Sequence, residues 1–568
     1  MKRAATAVLA GMLLFLTACT GLPTSGPVNA GNLPKDADDT QTFDLVPDPP
    51  QAGASPEQIV DGFLRAGVGA QDDWQTAREY LTPEYAPEWQ PLASVMIDRL
   101  SERSAAPASP APSPSPTTEA SSIEITQRVT AEAYVSPAGE YVPAYGAPVS
   151  LPFRLVQRDG EWRIDLAPDG IVLYQEVFPS VFRSASVMYF DKTWTYLVPD
   201  VRWFPGNLIA ARVAQALVDG PPSQWLDPAV ATAFPDDVTL ASSAVPLIDG
   251  GTTAQVELST AAFSLDERTL NRMQTQLEQS LASVGVAEAQ MTVGTTPLGA
   301  EAVPFRSTRV KSDPLVEIAG DGFGFLVADS IETIPGLSRA VEEIDAASVE
   351  VTADHRSAAV LNGSGAVLRA YADETFEVLD GSTPDLVAPS IDTQATVWSA
   401  SRSDPDAFAV YPLEGDPAVI TALWPSVSQL YAFQLSRDGT RLAALVRAND
   451  RTEVWVAAVS RDGGTPVAVG EPLVLATTPS EGVDLAWLDD GNLGVLLNSA
   501  QGSTVLLQPV GGRGTLLAVS SGAVDIAGGN STVRLRTSEG ALLIQRGANW
   551  EEGAADIAVL GVQQGLPE

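Results

Sequence analysis

The sequence predicts three successive domains of different class, α+β, α/β and all-β, behind a short secretory leader. Three observations carry this. Apolar periodicity switches between helical spacing and strict alternation along the first half of the chain. From Lys311 onward, short apolar strands recur between Gly/Asp turns, with starts roughly 35 to 50 residues apart, the range of propeller blades. Finally, Cys19 is the only cysteine in 568 residues, and it directly follows an apolar run.

Met1-Lys2-Arg3 gives the leader a positive start, and Ala4 to Leu16 gives it an apolar core. Residues 1–18 therefore read as a signal peptide, too short to remain as a membrane-spanning helix. Leu16-Thr17-Ala18-Cys19 resembles the bacterial lipobox. That resemblance implies cleavage between Ala18 and Cys19, with S-diacylglycerol and N-palmitoyl groups on Cys19. Each buried CH₂ contributes ~0.8 kcal/mol, so two or three acyl chains hold firmly where one does not. Residues 19–54, rich in Pro and Gly and carrying Asp36, Asp38, Asp39, Asp44 and Asp48, read as a lipidated flexible tether. A coil of roughly 35 residues has a root-mean-square span of ~30 Å. The expected location is the extracytoplasmic face of the cell membrane.

The formal charge is −38, and lysine occurs only at 2, 35, 192 and 311. Such a balance favours solubility and argues against nucleic acid as a partner. Apolar residues make up 45% and charged residues 18%, a globular composition. With its one cysteine committed to lipid, the body has no disulfides and relies on core burial.

The first domain is expected over residues 55–178. Ser55, Pro56 and Gln58 write a helix start with a capping box, and Ile59, Val60, Phe63 and Leu64 share a face. Trp74, Ala77, Tyr80 and Leu81 suggest a second helix and Leu92–Leu100 a third. The Ala/Pro/Ser/Thr tract at 101–122 cannot pack a core and reads as a disordered insertion. Alternation resumes at Ile123 and again over Val149–Val156, and Asp159-Gly160 marks a hairpin turn.

A second domain is expected over 181–304. Strands at Ser186–Phe190 and Thr193–Val198 precede a helix from Asn207 to Val218, which Asp219-Gly220-Pro221 stops. Strands near Val238–Ala241 and Ala254–Leu258 come next. Ser264 and Glu267 form a capping-box pattern ahead of Leu270, Met273, Leu277 and Leu281, and Gly285 ends that helix. A strand at Ala289–Val293 completes the layer. Residues 311–568 then read as a β-propeller of five or six blades, the clearest built around Ser436-Arg437-Asp438-Gly439.

No catalytic, cofactor or metal residues are expected, and the chain is not expected to be an enzyme. His355 is the sole histidine and precedes an apolar strand, a blade-turn position, so no two-histidine metal site can form. Gly320-Asp321-Gly322-Phe323-Gly324 lacks the third glycine and the helix of a dinucleotide fingerprint and reads as a turn. The acidic pairs Asp72–Asp73, Asp236–Asp237 and Asp489–Asp490 sit in turn contexts.

The helices followed by a meander ending in R-D-G-E-W-R-I-D resemble the NTF2-like cone. The stretch from L-V-P-D-V-R-W-F through L-V-D-G-P-P and F-P-D-D-V-T-L resembles the GerMN domain, which implies an extracytoplasmic interaction module. In this order, with C-T-G-L-P-T-S-G-P-V behind the cleavage site, the whole resembles the LpqB lipoproteins of actinobacteria. That resemblance implies a partner, the extracytoplasmic part of the sensor kinase MtrB of the MtrAB system, and a role in cell-envelope homeostasis and division. The alternative is a cell-wall-binding protein or a carboxylate-dependent glycosidase, acting through a propeller mouth flanked by Trp398, Trp424 or Trp487.

Overall fold

A computed structural model describes residues 46–105, 109–110, 122–422, 424, 426–519 and 522–567. The expected signal peptide, Cys19, most of the tether and most of the Pro/Ser tract lie outside the described residues. The tether's last stretch is seated on the first domain: Tyr80 Oη donates to Asp48 O at 2.8 Å, and Gly53 N donates to the Glu161 carboxylate at 3.0 Å.

Helix α1 (Pro56–Arg65) starts as its sequence dictates. Gln58 N donates to Ser55 Oγ at 3.3 Å, and Ser55 N donates to Gln58 Oε1 at 2.8 Å. Its apolar face lies on a sheet of β1 (Val95–Asp98), β2 (Ser122–Val135), β3 (Tyr141–Arg158), β4 (Glu161–Leu166) and β5 (Ile171–Tyr174), in the order β4-β3-β2-β1-β5. Asp159 and Gly160 both adopt positive φ, the backbone that a tight two-residue hairpin requires. Two helical expectations fail here. Residues 95–98 are the strand joining β2 to the parallel β5, buried at all four positions. The 74–81 stretch contracts to one α-turn, Gln75–Arg78, because Asp73 and Trp74 both take left-handed backbone. Within the tract expected to be disordered, Ser104–Ala105 and Ser109–Pro110 pair with β2.

The second domain pairs β6 (Phe182–Asp191) with β7 (Leu197–Pro205) in an antiparallel ribbon. Helices α2 (Ile209–Val218) and α3 (Glu267–Ala282) bury Val213, Leu217, Met273, Leu277 and Leu281 in one core. Strands β8 (Thr253–Glu257) and β9 (Glu288–Val293) run parallel beside them. The cap of α3 is Asp266, whose Oδ1 accepts from Thr269 N at 2.8 Å, and not Ser264, which ends a preceding 3₁₀ turn. Over 238–241 there is no strand, only a bridge from Leu240 to Leu258.

The remaining strands form six blades around an axis. Blade one is Ala346–Val351, Ser357–Asn362, Val367–Tyr371 and Phe376–Asp380. Blade two is Ser390–Ile391, Val397–Ser401, Asp404–Tyr411 and Ala418–Thr421. Blade three is Val427–Leu435, Arg441–Ala448, Arg451–Asp462 and Leu473–Thr478, with Thr465–Val469 added at the far end of its third strand. Blade four is Glu481–Trp487, Asn492–Ser499, Gly502–Pro509 and Thr515–Ala518; blade five is Ala523–Gly529, Thr532–Thr537, Leu542–Arg546 and Asn549–Ala554.

Blade six is composite. Its innermost strand, Ile557–Gln563, pairs with Leu315–Ile318, beyond which lie Gly322–Val327 and Ser330–Glu332. The same inner strand touches blade one at Glu350–Val562 and Val351–Gln563, closing the ring. Closure removes the long free edges that an open sheet would expose. Of the 320–324 segment, Gly320 and Asp321 form the expected turn, with Asp321 N donating to Ile318 O at 3.0 Å, and residues 322–324 already belong to the next strand.

Candidate functional site

Two places in this architecture gather polar side chains and space: the propeller axis and the joint between domains. At the axis, Arg437 projects from the inner turn of blade three. Its Nε donates to Gln563 O at 3.2 Å, and its Nη2 donates to Trp487 O at 3.0 Å and to Gly528 O at 2.8 Å. One guanidinium thereby ties blade three to blades four, five and six. Burial pulls its pKa down, opposed by the Asp490, Asp489, Glu350 and Asp438 carboxylates. Gly528 must be glycine, since a Cβ there would lie 2.4 Å from Trp487 O.

Beside the arginine, buried Glu350 accepts from Ser390 Oγ at 2.8 Å, Ile391 N at 3.1 Å and Gln434 Nε2 at 3.4 Å, and also from Gln564 Nε2. Desolvation raises its pKa, and those four donors oppose the rise. Most of the polar groups at the axis satisfy one another; Gln564 Oε1 is buried there without a donor among the described residues.

The tryptophans expected at a propeller mouth are elsewhere. Trp398 and Trp424 pack edge-on against Phe408 between blades two and three, and Trp487 is 1% exposed with its indole N–H on Gln434 O. His355 sits in the inner turn of blade one with φ 58°, 5.4 Å from the Phe325 ring, and burial lowers its pKa. Asp72 caps Gln75 N, and Asp489 accepts from Gly491 N and Asn492 Nδ2, both at 2.9 Å. Asp237 offers only its backbone carbonyl, to Ser259 Oγ. Among the described residues no three His, Cys, Asp or Glu side chains gather as metal ligands, and no helix is long and apolar enough to cross a membrane.

The domains meet at Trp203 on β7. Its ring lies 4.8 Å from Phe178 and 6.3 Å from Tyr141 of the first domain, and its Nε1 donates to Gly511 O of blade four at 2.8 Å. Trp225 adds a second wedge, packing against both the second-domain core and a core between blades three and four. Tyr145 Oη reaches Val474 O of blade three at 3.1 Å. The described residues accordingly form one compact unit.

Two clefts flank Trp203. One of about 1010 Å³ lies between the first two domains and includes Arg78, Trp89, Arg202 and Asp219. The other, about 710 Å³, touches all three domains and includes Tyr141, Met188, Asp490 and Arg513. The interior of the first domain, by contrast, holds about 40 Å³ among Phe63, Trp89, Met96 and Phe153. Volumes of the first two sizes suit peptide-scale or drug-scale ligands, and the last does not.

Neither Arg437 nor Trp203 is marked as functional by the sequence. Arg437 lies in a stretch that reads as a blade turn, and Trp203 in one that carries the GerMN resemblance.

A titrating seam joins blades four and five. Asp484 accepts from Leu485 N at 2.9 Å and from Ile526 N at 3.0 Å, yet burial and the neighbouring Asp525 carboxylate push it up to about 7. Burial raises Asp525 too, opposed by its ion pair with Arg536 at 2.5 Å. A carboxyl held above its unfolded pKa favours the fold while protonated, so stability falls as pH rises from ~4 through ~7. Thermal unfolding at pH 5 and pH 8 should show the loss. Asp484→Asn should flatten that dependence, with its gain at pH 8 offset by the one backbone N–H that the amide nitrogen cannot accept from; an unchanged pH profile would rule the seam out.

A helix-on-sheet domain, an α/β layer and a six-bladed ring, joined around Trp203 and Trp225, define a multidomain propeller protein. Comparison with known proteins agrees domain by domain. Residues 49–179 match the N-terminal domain of Lipoprotein LpqB, 186–299 match the Germane domain described as sporulation and spore germination, and 322–558 match the Lipoprotein LpqB beta-propeller domain. Lipoprotein LpqB of Thermobifida fusca is 28% identical, the alignment covering 92% of this chain and 91% of the relative. That of Cutibacterium acnes is 24% identical, with coverage of 86% and 85%. Over most of its length the chain is thus similar to the LpqB lipoproteins, domain by domain and in the same order.

Proposed function

We propose that this protein is a non-catalytic accessory, anchored through lipid on Cys19 to the extracytoplasmic face of the cell membrane, that binds and modulates a sensor histidine kinase. The kinase it would serve is MtrB of the MtrAB system, and the outcome would be control of envelope homeostasis and division. The observation that supports this best is the Trp203 joint. It holds three domains in one orientation and leaves open clefts on either side, the form of a docking platform. Arg437 and Glu350 meanwhile spend their polar groups on the ring itself. A glycosidase acting through the propeller mouth would need exposed aromatics, whereas Trp398 and Trp487 are interior.

Cys19→Ser removes the acceptor of the lipid. The variant should move from the membrane to the soluble fraction, and kinase recovered with it from native membranes should fall about 100-fold or more, the loss expected when a tethered encounter becomes bimolecular. Fractionation and quantitative co-purification read both. Full membrane retention of the variant would refute the anchor; equal kinase recovery would refute the tethered encounter.

A further inference from the structure

We infer that the seam between the second domain and the propeller holds a binding pocket for a small phosphate-type oxyanion, either the free ion or a phosphomonoester group. A cavity of about 180 Å³ lies between the Asp191–Tyr196 turn and the inner turns of blades two and three. That is well below the ~300–1000 Å³ of drug-sized sites and suits a small hydrated anion. Lys192, Arg306 and Arg461 line it together with the hydroxyl residues Thr193, Thr393 and Thr440. Three cations around one small cavity are conspicuous in a chain of net charge −38 that has only four lysines.

The carboxylates at this seam are turned to other work. Asp191 accepts from Thr193 N at 3.0 Å, Thr195 N at 2.7 Å and Tyr196 N at 2.6 Å, fastening its own turn. Asp438 is bound by Ser436, Thr440 and Arg441. Asp392 accepts from Gln394 N, Thr396 N and Trp398 Nε1 and anchors Arg461 Nη1 at 2.8 Å.

Arg461 is thus held rigidly. Nε donates to Gly439 O and Nη1 to Gly464 O, while Nη2, shielded from solvent, meets no acceptor among the described residues. Native folds rarely leave such a donor without an acceptor. Lys192, on the turn contributed by the second domain, is exposed and lines the same cavity. A fixed guanidinium, an exposed ammonium and the Thr393 hydroxyl are donors of the kind that phosphate oxygens select, while the Thr193 and Thr440 hydroxyls already donate to Asp191 and Asp438. An anion bound here would bridge two domains and tighten their seam.

The test is thermal unfolding and titration calorimetry of the full chain with inorganic phosphate, against chloride at matched ionic strength. Saturable binding and a rise in Tm are expected, with affinity at least tenfold weaker in Lys192→Gln and in Arg461→Gln. Because Lys192 is exposed, its variant keeps the test valid even if Arg461→Gln fails to fold. Glycerol 3-phosphate serves as a second probe: equal or tighter binding identifies a phosphomonoester on a larger molecule, and binding of inorganic phosphate alone identifies the free ion. Absence of a saturable effect with both probes, or affinity unchanged in Lys192→Gln, would overturn the assignment.

Discussion

A chain ending at Asp556 should fail to form a propeller at all. The segment it lacks supplies the inner strand of blade six, paired through Leu315–Gly561, Val316–Leu560 and Glu317–Val559, and the contact that joins blade six to blade one. Ile557, Val559 and Leu560 are buried, and at ~1.5–3 kcal/mol each their loss alone approaches the whole stability of an ordinary domain. Gln563 also holds Lys311 N at 3.0 Å, and its carbonyl receives Arg437. Expression should give aggregated protein, or soluble protein without a cooperative propeller transition in calorimetry. A truncated chain that melts like the full one would mean that the ring closes by some other route.

Arg437→Met should be the most damaging single substitution at the axis, by about 3–5 kcal/mol, because it leaves buried acceptors behind. Many buried ion pairs can be exchanged for apolar side chains at little cost, since both partners disappear together. Here the acceptors are the backbone carbonyls of Trp487, Gly528 and Gln563, which no substitution removes. Arg437→Lys should recover part of the loss, as an ammonium donates from a point and cannot span three blades. Urea unfolding monitored by tryptophan fluorescence measures both variants. Midpoints within experimental error of the wild type would show that the plug is dispensable.

What the sequence discloses here is mostly local. The Ser55–Gln58 capping box, the Asp159-Gly160 turn and the blade rhythm depend on residues a few positions apart, and the structure shows them as read. The failures are instructive in physical terms. Val95–Asp98 is a short apolar run, and such a run reads equally well as helix or strand until its neighbours are known; β2 and β5 decide it. At 264–267 two plausible caps lie within three residues, and the one beside the dipole's positive end, Asp266, takes the role.

Ring closure depends on Leu315 meeting Gly561, a pairing no periodicity encodes. The same holds for the functional geometry. Arg437 looks like one more residue of an S-R-D-G turn, and only the ring brings Trp487, Gly528 and Gln563 within its reach. Trp398, Trp424 and Trp487 were plausible as mouth aromatics until the blades stacked around them. Cys19, by contrast, is legible from the sequence by its lipobox pattern, which needs only the few residues before it.

In the function proposed above, a lipid-tethered, three-domain platform acts by contact with a sensor kinase. The most direct test is the autophosphorylation rate of MtrB in proteoliposomes, titrated with the lipidated protein and with the Cys19→Ser form. The rate should change on adding the lipidated protein, and the unlipidated form should reproduce that change only at about 100-fold or higher concentration. A kinase rate indifferent to both forms at every concentration would contradict the account.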